Sequence, residues 1–291
     1  MSKSHNTGAS LWDKVATIPQ YLIPQHALSA LMHRLTRSEI TWFKNGFIRF
    51  VFAKYKVNMN EAEQVDLASF PCFNAFFTRK LRPDARPLAE GEAVITSPVD
   101  GVISHIGQLK HGKILQVKGR EYSVLELLGG NELLAKQFEQ GQFATIYLSP
   151  KDYHRIHMPL TGTLTSMTYI PGKLFSVNPR TARTVPRLFA RNERVVTVFD
   201  TAQSRIIMVL VGAIFVGSME TAWSGMITPP YGKEIQHYDY HGDDAVTLQK
   251  GEEMGRFNMG STVVLLFPEQ ANEFKAEMKE GVSVQMGQAI S

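Results

Sequence analysis

Apolar residues in the N-terminal stretch recur at helical spacing. From Leu11 to Lys56 the pattern predicts helices with short breaks at Pro19 and Pro24. Thr36-Arg37-Ser38-Glu39 has the form of a capping box and is predicted to open the best of these helices. Along it Ile40, Phe43, Phe47, Ile48 and Val51 fall on one face, and Trp42, Phe50 and Phe52 widen the apolar surface. Lys44, Arg49 and Lys54 supply the polar face. Trp and Phe opposite basic residues suit the plane of a membrane interface; the same pattern suits an amphipathic helix packed on its own domain.

From about residue 92 the pattern changes. Short apolar runs alternate with Gly, Pro and Asp turns, as in Ala93-Val94-Ile95, Gly101-Val102-Ile103, Lys113 to Val117, Phe143 to Leu148, Arg194 to Phe199 and Ile206 to Leu210. This spacing predicts a strand-rich body. Ser123 to Phe138 is the main helical interruption. Between the two regions, residues 66–88 interleave Phe70, Phe73, Phe76 and Phe77 with Arg79, Lys80, Arg82 and Arg86. Packed Phe and solvated Arg account for that segment, although stacking on nucleic acid would use the same residues. The expected fold is α+β: an amphipathic helical region over 1–65, followed by a β-rich body over 66–291.

Composition narrows this picture. The chain has 291 residues, 44% hydrophobic and 20% charged, enough for one large domain or two smaller ones. Its single cysteine, Cys72, excludes an intramolecular disulfide and suits a reducing compartment. Met1 to Ser10 is polar and lacks a signal-peptide core, and the longest apolar run, Ile206 to Val216, is too short to span a bilayer as a helix. Residues 1–60 hold eight Lys and Arg against two Asp and Glu, so this region carries +6 of a net charge of +4 and the remainder is acidic. Such a region calls for an acidic partner or is a solvated face. No recognisable nucleic-acid motif accompanies the charge, which leaves anionic lipid as the better partner.

Candidate chemistry lies in three places. Near the C-terminus, Gly255 to Phe267 sets Gly260-Ser261-Thr262 directly ahead of an apolar run, so a hydroxyl nucleophile adjoins the carbonyl of a Gly in its own chain. Ser97-Pro98-Val99-Asp100-Gly101 is a turn between apolar runs. Tyr147 to Pro159 contains His154 and His157, three apart. On a helical turn the two rings would share a face; on a strand they would point to opposite faces. With Asp100 they could be three zinc ligands, or a general base and a separate acid. Asp100, one of the two histidines and Ser261 also supply the parts of an Asp-His-Ser relay, which can occur in any chain order.

Taken together, these segments resemble the short bacterial-type phosphatidylserine decarboxylase proenzymes. The resemblance rests on Ser97 to Gly101, Leu148 to Pro159, Tyr169 to Asn178, Leu188 to Arg194, Val211-Gly212-Ala213 with Val216-Gly217-Ser218, and Gly251 to Thr262. The usual processing motif of that family is Leu-Gly-Ser-Thr, and here it reads Met259-Gly260-Ser261-Thr262, which keeps an apolar residue ahead of the bond.

The resemblance implies a protein that makes its own cofactor. His157, oriented by Asp100, would act as base on Ser261, whose hydroxyl attacks the Gly260 carbonyl. Elimination and hydrolysis would then leave a larger chain, 1–260, and a smaller chain, 261–291, that begins with a covalent pyruvoyl group. That group would form a Schiff base with the amine of phosphatidylserine and act as the electron sink for loss of carbon dioxide. The resemblance assigns protonation at the α-carbon to His154. Tyr147, at the strand end before the histidines, is a pocket candidate, and no metal is expected. The two chains are expected to remain associated, with homodimerisation of the pair left open. The protein would sit peripherally on the cytoplasmic face of the bacterial inner membrane. A zinc-dependent hydrolase, a non-catalytic lipid-binding protein and a pyruvoyl decarboxylase for another amino acid are the competing readings.

Overall fold

A computed structural model describes residues 10–117, 119–215 and 218–291. The expectation of no signal peptide over Met1–Ala9, and the Val216-Gly217 part of the resemblance, lie outside the described residues. The helices are α1 (Leu11–Thr17), α2 (Pro19–Leu22), α3 (Gln25–Thr36), α4 (Thr41–Tyr55), α5 (Phe73–Phe77), α6 (Val124–Leu127), α7 (Glu132–Lys136), α8 (Pro179–Thr184) and α9 (Leu188–Arg191). The first strands are β1 (Gly101–Lys110), β2 (Lys113–Val117), β3 (Arg120–Ser123), β4 (Gln140–Tyr147), β5 (Arg155–His157), β6 (Gly162–Ile170), β7 (Arg194–Thr201) and β8 (Arg205–Val211). They are followed by β9 (Met219–Thr221), β10 (Gly225–Met226), β11 (Gln236–Asp239), β12 (Val246–Leu248), β13 (Glu253–Phe257), β14 (Thr262–Phe267) and β15 (Ser283–Val284). The α+β expectation holds.

Among the described residues the strands form two sheets. The larger has the order β11-β6-β7-β8-β14-β4-β1-β2-β3, with β12 added on β6 and β15 on β1; the smaller runs β10-β9-β13-β5. Strand β14 pairs antiparallel with both β4 and β8, which places it in the interior of the large sheet. Both faces of that sheet are covered. Val263, Leu265 and Phe267 enter one core cluster while Val264 and Leu266 enter another. Burial on both faces is why β8 and β14 read as continuous apolar runs rather than alternating ones.

The N-terminal helices dock on this body. The Gln25 side chain accepts from Leu174 N–H at 2.8 Å, and that of Gln20 from Ser176 N–H at 2.8 Å. A third apolar cluster joins Ile48 and Val51 of α4 to Phe70, Phe73, Phe76 and Phe77, and so draws on residues from both sides of position 65. Met259 packs against this cluster and also against the second cluster of the large sheet.

Four local expectations are corrected. Thr36 does not open α4. It is the last residue of α3, still helical, so its hydroxyl turns back to the His33 carbonyl at 3.2 Å, and α4 begins after Ile40 with no side-chain cap. Capping boxes form instead at Ser10–Asp13 and Ser123–Glu126. Lys44 is not on the polar face. It is 7% exposed, and its ammonium donates to the Ala68 carbonyl at 2.9 Å and to Asn45 Oδ1 at 2.8 Å. Arg79 is likewise buried rather than solvated, and donates to the Lys151 carbonyl. Ala93-Val94-Ile95 is not a strand: Ala93 lies in a turn, and among the described residues the pairing begins with an isolated bridge from Thr96 to Ala289.

Candidate active site

The chain leaves β13 in the small sheet and enters β14 in the large one through only Asn258-Met259-Gly260-Ser261. The Gly260–Ser261 bond therefore lies at the crossing between the two sheets. The crossing is fixed by its neighbours. Phe257 N–H donates to the His154 carbonyl at 3.0 Å, and Leu148 N–H donates to the Ser261 carbonyl at 2.9 Å.

His154 precedes β5, the strand that pairs with β13. Its ring is fully buried, packed on Phe77 with ring centroids 4.1 Å apart. Nδ1 lies 2.8 Å from the Asp152 carbonyl, which can only accept, so Nδ1 carries the hydrogen and Nε2 presents a bare lone pair. That Nε2 has no protein hydrogen-bond partner and faces Gly260, 3.7 Å from where a Cβ on that residue would sit. Burial drives the His154 pKa down to about 3. The Ser261 Oγ is equally buried and equally without a partner. Two orphaned polar atoms thus flank one glycine, an arrangement that is costly unless it is used.

His157, three residues on, is the last residue of β5. Its Nδ1 donates to the Gly251 carbonyl at 2.8 Å and its Nε2 accepts from the Tyr153 hydroxyl at 3.0 Å. Burial lowers its pKa too. Asp100 is held by the Arg86 guanidinium and by Met286 N–H at 2.9 Å, and Arg86 also pairs with Glu61 at 2.8 Å. Burial works against the Arg86 charge, but the two carboxylates outweigh it and raise its pKa.

The structure brings these residues to one end of the large sheet without joining them. Tyr147 pairs with Val102 on one side and Thr262 on the other, so Asp100 and Ser261 lie just ahead of the two strands flanking β4, at the same end of the sheet. Two strand spacings separate those chains, about 10 Å. Gly101 permits the close approach on the Asp100 side, because a Cβ there would lie 2.5 Å from the Tyr147 carbonyl oxygen. His157 N–H donates to the Pro98 carbonyl at 2.9 Å, which ties β5 to the Asp100 turn. No hydrogen bond links Asp100 to His157, or His157 to Ser261. Asp100, His154 and His157 do not converge as zinc ligands either: among the described residues no group of three or more His, Cys, Asp or Glu is placed to hold a metal ion.

A cavity of about 480 Å³ opens beside the crossing. Tyr147 and Gly260 line it together with Met259, Tyr55, Ile23 and Phe215, so the N-terminal helices supply part of its wall. Burial raises the Tyr147 pKa to about 12, which keeps its hydroxyl protonated. The sequence pattern read Phe77 as packing and Arg86 as a solvated cation, whereas the Arg86 side chain is buried between Asp100 and Glu61, and it gave no role to Tyr153 or Asn258. Tyr153 could have been found four residues before His157, but Arg86 and Phe77 meet their histidine or carboxylate only through the fold.

The family model described as Phosphatidylserine decarboxylase matches residues 73–291, and a second, described as PSD, matches residues 15–56. A protein of Nitrosococcus oceani named phosphatidylserine decarboxylase proenzyme is 53% identical over 280 residues, covering 96% of this chain and 92% of its own. Proteins of the same name from Marinobacter nauticus and Shewanella baltica are 53% and 52% identical, each covering 96% of this chain and 97% of their own. The chain belongs to the phosphatidylserine decarboxylase family.

Proposed function

We propose that this chain is a self-processing, pyruvoyl-dependent decarboxylase that converts phosphatidylserine to phosphatidylethanolamine and carbon dioxide. The observation that carries the reading is the pair of buried, unpartnered atoms, Ser261 Oγ and His154 Nε2, next to Gly260, which itself lines the Tyr147 cavity.

In maturation, Ser261 Oγ gives up its proton and adds to the Gly260 carbonyl carbon; the Gly260–Ser261 C–N bond breaks and the peptide becomes an ester. Removal of the Ser261 α-proton expels the Gly260 carboxylate and leaves a dehydroalanine. Water then adds, ammonia departs, and residue 261 is left as the pyruvoyl. Asp100 and His157 serve as the relay for these proton transfers. In the uncleaved arrangement Tyr153 and Arg86 occupy them, so the relay requires His157 to leave Tyr153.

The His154 Nε2 favours a second reading, in which His154 itself deprotonates Ser261, since it already faces the scissile residue. Intact masses of His157→Ala and His154→Ala decide between the two. Under the relay reading His157→Ala stays a single chain, while His154→Ala cleaves yet turns over poorly. The reverse pattern assigns cleavage to His154. A wild-type chain that never cleaves would overturn both.

The pyruvoyl group fits the site, because its parent hydroxyl has no structural partner to lose. It supplies the electron sink for decarboxylation. His154 Nε2, which faces Gly260, is the group that passes a proton to the α-carbon after carbon dioxide leaves. Tyr147 borders the cavity that receives the headgroup.

After cleavage the fragment 261–291 keeps β14 paired on both edges and β15 on β1, which supports lasting association of the two chains. Leu11, Trp12, Leu22 and Trp42 are exposed on the basic N-terminal helices, and among the described residues no helix is long and apolar enough to cross a membrane. Peripheral association with the anionic cytoplasmic face of the inner membrane accounts for both.

A further inference from the structure

The crossing from β13 to β14 is held by a polar side chain outside the relay. Asn258, two residues before Gly260, is 2% exposed. Its amide nitrogen donates to Ser218 Oγ at 2.7 Å and to Glu220 Oε1 at 2.8 Å, and its amide oxygen accepts from Asn74 Nδ2 at 3.0 Å. Its backbone N–H donates to the Ser218 carbonyl at 3.1 Å. The donors and the acceptor of a planar amide are therefore all engaged from different directions, which fixes its orientation as well as its place.

Each partner belongs to an element that bears on the site. Ser218 precedes β9, which carries Glu220 and pairs with β13. Asn74 lies on α5, whose Phe77 ring backs His154. Glu220 also pairs with Arg256 at 3.5 Å and with Arg37, at the end of α3, at 3.7 Å. One network thus references the scissile peptide to the small sheet, to the helix behind His154 and to the N-terminal helices.

We propose that Asn258 is a positioning residue for self-cleavage, holding the four-residue crossing so that the Gly260 carbonyl is presented to Ser261 Oγ. The inference rests on the self-cleavage reading above. Nucleophile and electrophile are adjacent in sequence, so their approach is set by φ and χ1 of Ser261, that is, by how the Gly260–Ser261 peptide plane is held relative to the start of β14. β14, paired on both edges, holds the downstream side of that plane, and Asn258 together with the Met259 packing anchors the upstream side across a glycine that cannot fix it by itself. Once the bond breaks, residue 258 is third from a new chain end and no longer sets the position of residue 261.

The test follows the conversion of full-length chain to the 1–260 and 261–291 fragments after cell-free synthesis, read by mass, with the thermal midpoint measured alongside. Asn258→Ala is expected to slow cleavage by about tenfold to a hundredfold, the range for misplacing a reacting group by about an ångström. Asn258→Asp is expected to be slower still near neutral pH, because it sets a carboxylate against Glu220. The double variant Asn258→Asp with Glu220→Gln reverses donor and acceptor across that contact and is expected to recover at least tenfold over Asn258→Asp alone. Recovery by the reversed pair is the readout that loss of stability alone would not give, and it decides the matter even where Asn258→Ala fails to fold. Wild-type cleavage kinetics in Asn258→Ala, or no recovery in the double variant, overturns the proposal. Absence of cleavage in the wild type would instead overturn the reading on which it rests.

Discussion

The Nε2 of His154 stands 3.7 Å from the position that a Cβ on Gly260 would occupy, and no hydrogen-bond donor reaches it. The same added carbon would meet the Leu148 carbonyl oxygen at 3.3 Å. Gly260 is not among the residues with positive φ, so its backbone itself accepts an L residue. Gly260→Ala is therefore expected to fold with a peptide displaced by a few tenths of an ångström. Cleavage should slow by about tenfold or more, since attack geometry is sensitive to small displacements. Intact mass at timed intervals checks this; cleavage at the wild-type rate would show that the close contact has no bearing on maturation.

His154 also makes stability depend on pH. Its pKa falls from 6.5 to about 3 on folding, because burial disfavours the imidazolium. Below about pH 6.5 the unfolded chain takes up a proton that the folded chain refuses, so stability is full above that pH and is lost as the pH falls. The loss is on the order of 1 kcal/mol per pH unit down towards the folded pKa. His33, His105 and His157 are shifted the same way and add to the slope. In a Ser261→Ala background, which keeps the chain in one piece, urea unfolding between about pH 4.5 and 6.5 should show this dependence. Adding His154→Asn should reduce the slope by close to one proton; an unchanged slope would mean that His154 titrates normally in the fold.

The large sheet was legible because its interior strands bury both faces, and Ile206 to Leu210 and Val263 to Phe267 admit few other readings. The order of the strands was not, since β14 pairs with β8 and β4, both far earlier in the chain: Thr262 meets Val211 on one side and Tyr147 on the other. Ser261, Asp100 and the two histidines could be picked out as chemically capable residues. Which partner each has could not. Spacing left open whether His154 and His157 share a face; in the structure His154 stands ahead of β5 while His157 ends it, and the two rings have separate partners. Lys44 and Arg79 read as surface cations because charge usually is, yet backbone carbonyls at Ala68 and Lys151 make burial tolerable. Thr36 shows the limit of a local motif: the four residues are present, but a helix ends where they would begin one.

Arg86 offers a separate test of the Asp100 environment. Its side chain is largely buried and donates to Asp100 and Glu61 together. Removing it leaves Asp100 with only the Met286 N–H among the contacts found here. Breaking a buried pair from one side typically costs about 3–5 kcal/mol, and the partial exposure of Glu61 argues for the lower end or below. Arg86→Ala in the uncleaved Ser261→Ala chain should therefore lose about 2–3 kcal/mol in urea unfolding, and Arg86→Lys somewhat less, because an ammonium cannot fork to both carboxylates. A loss below about 0.5 kcal/mol, the scale of an ordinary surface substitution, would show that Asp100 does not depend on this contact.

The N-terminal helices carry a prediction that concerns lipid alone. Trp12 and Trp42 are 81% and 78% exposed, although their neighbours on the inner side, Asp13 and Ile48, are buried. A soluble surface has little reason to present two indoles and Leu22 on helices that also bear the chain's excess positive charge. Fully burying one large apolar side chain contributes about 1.5–3 kcal/mol, and partial insertion of two indoles should give about as much. Trp12→Ser with Trp42→Ser is therefore expected to weaken sedimentation with vesicles containing anionic lipid by about tenfold or more while leaving the fold intact, since neither ring belongs to a core cluster. Raising the salt should weaken what binding remains, through the basic residues. Unaltered partitioning of the double variant would show that these helices do not carry the membrane contact, and would leave their aromatic surface without the role assigned to it.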